Sequence, residues 1–179
     1  VAERQHCSEA LQKLFAELEA TLGFVPNVIR AFAWREPRFW KWWAHRTDLM
    51  APSAGLSKAE REMVAVVVSA ANDCLYCMTS HGYAVRVLLG EPVTAERILL
   101  DYHRAGLDAR TLAMLDYAVK ITQRPAACGL EDIECLQQYG FRDEDIWDIA
   151  EIAAMYNYTN RLASAAGWLP NPEYHGLAR

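Results

Sequence analysis

The stretch "SKAEREMVAVVVSAANDCLYCMTSHG", residues 57–82, decides how the whole chain folds. Ser57 followed by Glu60 is a capping-box pattern that opens a helix. Its middle, "MVAVVVSAA", is apolar on every side, which suits a helix buried among neighbours. Asn72 and Asp73 break that helix, and either is suited to cap a second one from about Cys74 to Leu89, which Gly90 ends. If the chain reverses at this break, the two helices form a central antiparallel pair.

Outward from the pair, apolar spacing is helical almost everywhere. Leu11, Leu14, Phe15, Leu18 and Leu22 recur at three- and four-residue steps, and Gly23 follows as a left-handed stop. Pro26 breaks the chain and Asn27 is placed to cap a short helix through Phe32; Pro37 suits the first turn of a Trp-rich helix ending near Leu49. Further helices are expected at 94–103, 108–123, 131–139 and 143–166. No run alternates as a strand does, so the fold is expected to be all-α. A shift of 85 residues lays "LSKAEREMVAVVVSAAND" over "FRDEDIWDIAEIAAMYNY", a weak echo of pattern that would fit two related helical units, the second lacking cysteines.

At 179 residues the chain is long enough to bury one substantial core without disulfides or metals. Apolar residues make up 53% and charged ones 23%, which suits a globular protein, and the net charge of -5 argues against a nucleic-acid surface. No apolar run is long enough for a bilayer. The opening "VAERQHCSEALQKL" lacks the features of a signal peptide, so a reducing cytoplasm is the expected compartment. Five cysteines with no second paired spacing do not suggest a disulfide framework.

The chemistry gathers in "NDCLYCMTSHG", residues 72–82. With Cys74 opening a helix, Cys74, Cys77 and His81 fall within roughly 60° on one face at about 100° per residue. A helix N-terminus favours thiolate over thiol. In an antiparallel pair, Glu62 and His81 come level to within roughly 3 Å along the axis, so the carboxylate is expected to orient the imidazole. Glu62 shares a stripe with Val66, Ser69 and Asp73 that leads towards the cysteine turn. Three meanings of the dithiol stay open at this point: a redox site, half of a metal site, or packed thiols. A zinc site would need two further ligands, and the chain has neither a second Cys-x-x-Cys nor a His-x-x-x-His.

Glu62, Cys74, Cys77 and His81 together resemble the Glu-x11-Cys-x2-Cys-x3-His signature of the alkylhydroperoxidase D-like proteins, in the carboxymuconolactone decarboxylase superfamily. "LGFVPNVIRAFAWREP" and "NYTNRLASAAGWLPNPEY" look like the branch of uncharacterised peroxidase-related proteins, so the resemblance covers most of the chain. It implies a single helical domain over 1–179, with a helical extension at 1–50 and a core at 51–167. It also implies homo-oligomers, trimers or hexamers, and reduction of organic hydroperoxides with no cofactor or metal. By similarity, Cys77 is the peroxidatic sulfur, Cys74 the resolving sulfur, and Glu62 with His81 the proton relay; a separate dithiol serves as reductant. The chemistry is consistent, since a thiolate must attack, the alkoxide must gain a proton, and a neighbouring thiol limits over-oxidation.

One position departs from the pattern. The best-studied members carry histidine immediately before the second cysteine, where this chain has Tyr76. A phenol with pKa about 10 is a poor base at neutral pH, although it still donates a hydrogen bond, so Tyr76 is at most accessory. Two other functions fit a dithiol: exchange with a protein or lipoyl partner, and a redox-responsive switch of oligomeric state. The decarboxylase branch fits less well, because its lactone chemistry does not call for a dithiol. His45, His103 and His175 are expected at the surface, and Cys7, Cys128 and Cys135 as packing thiols. Asn157, Asn160 and Arg161 suit hydrogen bonds in the core or at a subunit interface, and the Trp-rich helix suits core, interface or the wall of an apolar pocket.

Overall fold

A computed structural model describes residues 7–179; the first six residues of the expected 1–50 extension lie outside the described residues. The order is α1 (Glu9–Leu22), α2 (Asn27–Ala33), α3 (Glu36–Leu49), α4 (Lys58–Ala71), α5 (Leu75–Leu89), α6 (Pro92–Asp101), α7 (Ala109–Gln123), α8 (Leu130–Gln138), α9 (Asp143–Ala165) and α10 (Glu173–Gly176). Short 3-10 turns follow α6 and α7. The fold is all-α, and no described residue lies in a strand. None of these helices is long and apolar enough to cross a membrane.

The capping box at Ser57 and Glu60 is present, and the helix it opens is the most buried of the molecule: nine consecutive residues from Arg61 to Ser69 are buried. Packing of α5, α6, α7 and α9 around α4 explains why its sequence is apolar on all sides. A charged residue within that run needs partners, and Arg61 has them. Its guanidinium donates to the Leu49 carbonyl at 2.6 Å, the Ser53 hydroxyl at 3.0 Å and the Asp148 carboxylate at 2.5 Å.

The turn between α4 and α5 differs from expectation. Neither Asn72 nor Asp73 caps α5; Cys74 occupies the N-cap position. Asn72 instead turns to α9, donating to the Asn157 and Asn160 side chains at 3.0 Å each. Asp73 adopts φ +51°, left-handed backbone that lets the chain reverse in two residues, and its side chain is exposed. The Glu62 stripe therefore ends at Ser69. Elsewhere, α6 begins at Pro92 rather than residue 94, because Pro at the first helical position has no N–H to leave unpaired.

A smaller cluster of Leu11, Phe15, Val25, Ile29, Ala33 and Phe39 joins α1, α2 and α3. Trp40, Trp42 and Trp43 pack on it, and Trp42 stacks on Phe32 with centroids 3.9 Å apart. This N-terminal layer meets both ends of the α4–α5 pair, through Val28, whose N–H donates to the Tyr76 hydroxyl, and through the Leu49 and Met50 carbonyls, which accept from Arg61 and Lys58.

Candidate active site

The hairpin brings Glu62 and His81 together. His81 Nδ1 lies 2.6 Å from Glu62 Oε2, and Lys58 Nζ lies 3.4 Å from Oε1. Glu62 is only 3% exposed, so burial by itself pushes its pKa up; the charge and hydrogen bond of His81, with the charges of Arg46 and Lys58, outweigh burial and hold it at about 2. A carboxylate accepts and never donates. Nδ1 of His81 therefore carries the proton, and Nε2 is the nitrogen left to exchange one. The His81 ring is held edge-on by Tyr156, with centroids 4.5 Å apart.

Cys74 and Cys77 are both reduced and both buried, but their surroundings differ. The Cys77 thiol hydrogen-bonds to the Cys74 sulfur; against the penalty of burial, backbone N–H groups of Cys77 and Tyr76 and the Ser164 side chain add to this, holding the Cys74 pKa at about 6. The same shared proton, together with burial, pushes Cys77 up. The free N–H groups of the first turn of α5 therefore favour negative charge on Cys74 over Cys77. Side chains of Asn160 and Thr159 bond to the Cys77 sulfur and favour its charged form.

Asn160 is fixed by its own contacts. It is buried, donates to Ser69 Oγ at 3.0 Å and accepts from Asn72 at 3.0 Å, while Ser69 donates to the Ala65 carbonyl at 2.6 Å. The carboxyl-terminal part of α4 and the middle of α9 thus hold a polar group against the dithiol. The sequence placed Asn157 and Asn160 among possible core residues without linking them to sulfur. Arg46, Tyr156, Thr159 and Ser164 were not singled out at all, because their approach depends on how α3 and α9 cross the hairpin.

Tyr76 is accounted for by structure. Its hydroxyl accepts the Val28 N–H at 2.9 Å and donates to Tyr174, and burial leads the effects that push its pKa up. It ties α2 and α10 to α5. His45, His103 and His175 are exposed, as are Cys135 and Arg161, whereas Cys7 and Cys128 are half-buried. No cluster of three potential metal-ligating side chains occurs among the described residues.

A cavity of about 190 Å³ opens on the site. Cys77, His81 and Glu62 line it, facing apolar groups of the N-terminal layer that include Leu22, Ile29 and Trp43; Cys74 does not reach it. A small molecule in this space meets the second sulfur and the imidazole together.

An all-helical chain with a carboxylate–imidazole pair beside a helix-initiating dithiol belongs to a class of thiol-bearing helical proteins, and comparison with known proteins identifies which one. Residues 38–100 match the Carboxymuconolactone decarboxylase family. The chain is 45% identical to an uncharacterized peroxidase-related protein from Silicibacter sp. TM1040, covering 99% of this chain and 92% of that one with a TM-score of 0.95. It is 37% identical to an uncharacterized peroxidase-related protein from Ralstonia eutropha JMP134 described as an alkylhydroperoxidase AhpD core, covering 100% and 94% with a TM-score of 0.96. The debrominase Bmp8, at 19% identity over 99% and 94% with a TM-score of 0.82, shares the fold. No curated protein matches. The chain belongs to the alkylhydroperoxidase D-like proteins of the carboxymuconolactone decarboxylase superfamily.

Proposed function

We propose that the protein is a thiol peroxidase that reduces organic hydroperoxides or hydrogen peroxide through Cys77 and Cys74. The observation that carries this reading is that Cys77 and the His81–Glu62 pair line one cavity, with Cys74 directly behind. The resting pair holds one proton and one negative charge. On peroxide entry the proton moves from Cys77 to Cys74, and the Cys77 thiolate attacks the near oxygen. The O–O bond breaks; Cys77 becomes a sulfenic acid and the alkoxide takes the Nε2 proton of a His81 imidazolium whose Nδ1–H stays hydrogen-bonded to Glu62. Cys74 then forms the S–S bond, and its proton leaves with the hydroxyl as water. An external dithiol restores both thiols by exchange, itself becoming the disulfide, and the proton released as the resting thiol–thiolate pair re-forms returns to Nε2 of His81.

Apolar cavity walls and a relay to protonate a leaving oxygen support peroxide chemistry. The stabilised thiolate on Cys74 favours a second reading, exchange with a partner disulfide, because the first sulfur of such a motif is then the nucleophile. Its burial to 1% exposure weighs against a protein partner reaching it directly. One experiment separates the two. Under the peroxidase reading, Cys74→Ser accumulates a sulfenic acid on Cys77 when treated with cumene hydroperoxide, found by trapping and mass spectrometry, while Cys77→Ser consumes no peroxide. Peroxide consumption by wild type no faster than by free cysteine overturns it.

A further inference from the structure

Among the polar groups lining the cavity, Trp42, Arg46 and Tyr156 exchange no proton in the proposed reaction. Arg46 and Trp42 lie one turn apart on α3 and both line the cavity. Trp42 Nε1 is buried with no hydrogen-bond partner, although indole N–H groups normally find one. The Tyr156 oxygen has Arg46 as its donor while its own proton has no acceptor, and Tyr156, a side chain only 3% exposed, lines the same space. Arg46 makes a cation–π contact with Trp43 at 5.7 Å but no ion pair at contact distance among the described residues. The nearest carboxylate, Glu62, is already shared between His81 and Lys58. Two donors without acceptors and a cation thus belong to residues lining a cavity that is otherwise mostly apolar, and they call for an acceptor carrying negative charge.

We infer that the cavity takes a small apolar carboxylate, its anionic end on Arg46 and Trp42 and its apolar body along Leu22 and Ile29. The substrates are then hydroperoxides of this class, with the peroxide group turned to Cys77; that half rests on the peroxidase reading, the carboxylate site does not. Size agrees, since cavities near 150 Å³ admit a benzene ring and this one measures about 190 Å³. A one-ring acid fits the space.

The test uses 4-isopropylbenzoate against 4-isopropylbenzamide, a redox-inert pair of near-equal shape, titrated calorimetrically into reduced protein. Wild type should bind the carboxylate roughly ten-fold tighter than the amide. Arg46→Met should abolish the preference and Arg46→Lys keep most of it, which separates loss of charge from misfolding. Trp42→Phe should reduce it by a smaller factor. Equal affinity for the two ligands in wild type overturns the inference, even when cumene hydroperoxide is consumed and the peroxidase reading stands. If the carboxylate preference holds and no hydroperoxide is consumed, the binding site stands and the peroxidase reading falls. With both intact, the para-carboxylate of cumene hydroperoxide should exceed the neutral compound in kcat/KM, and Arg46→Met should remove that advantage.

Discussion

At the scale of single residues, Glu62 and the sulfur pair carry the sharpest expectations. The folded carboxyl sits at about 2 against an ordinary 4.5, so folding favours its ionised form. Its contribution to stability is complete above about pH 4.5 and disappears as pH falls towards about 2. Unfolding free energies of wild type and Glu62→Gln, measured across that window, should converge on the acid side; a constant difference would mean that the bond to His81 does not depend on charge. In turnover, Glu62→Gln leaves the imidazole without its orienting anion, and a fall of about a hundred-fold is expected from loss of positioned acid–base chemistry. For the sulfurs, Cys77→Ala removes the largest stabilising bond to Cys74, so the Cys74 pKa should climb from about 6 towards its ordinary value of 9.0. Thiolate absorbance followed against pH in the two proteins checks this. An unmoved titration would mean that the first-turn N–H groups alone hold the charge.

At the scale of elements, the helices were legible because apolar period, caps and glycine stops all pointed the same way. Ser57 with Glu60, Gly23 and Gly90 fall where the sequence put them. The α4–α5 turn was misread because Asn72 and Asp73 are both good caps by type, while the tertiary contact with α9 claims Asn72. The 85-residue echo identifies that contact: it matches Asn72 to Asn157, and these two side chains bond to each other. It also matches Glu60 to Asp145, each of which accepts the N–H of its helix N-cap residue, at 2.7 Å and 2.9 Å. Similar helices packed side by side have similar ends. That juxtaposition makes Gly55 a sensitive position, since a Cβ there would fall 1.9 Å from the Asp145 carboxylate oxygen. Asp145 is buried and held by the Arg142 N–H, and the Gly55 carbonyl accepts from Arg110 at 2.7 Å, so neither side is free to move. Gly55→Ala should cost about 1–3 kcal/mol, read as a lower midpoint in chemical denaturation. An unchanged midpoint would mean that the α4 and α9 ends can separate.

At the scale of the whole molecule, the candidate site draws on α3, α4, α5 and α9 at once, and only its α4–α5 half could be read from spacing. Glu62 and His81 are near in sequence and tied by a two-residue turn; Arg46, Tyr156 and Asn160 arrive through crossings that no periodicity encodes. The outer surface of α9 bears on assembly. Trp147, Tyr158 and Leu162 fall within roughly 60° of one another on the helix at about 100° per residue, and they are 70%, 52% and 37% exposed. Ala154 lies on the same stripe and is also exposed. Glu151 falls on the same stripe and accepts the Trp147 Nε1–H at 3.0 Å, so this face of the 23-residue helix offers large apolar groups at both ends and a carboxylate between them. The homo-oligomer implied by the family resemblance supplies a partner of the right chemistry, a second copy of the same stripe. We expect light scattering to give a multiple of the 20.2 kDa chain, and Trp147→Glu with Tyr158→Glu to reduce it towards one chain. Trp147 is 70% exposed and Tyr158 meets only the edge of the N-terminal layer at Phe32, 6.3 Å between centroids, so the dissociated variant should keep its helical circular dichroism. A wild-type mass of one chain, or a double variant with the wild-type mass, would remove α9 from the interface.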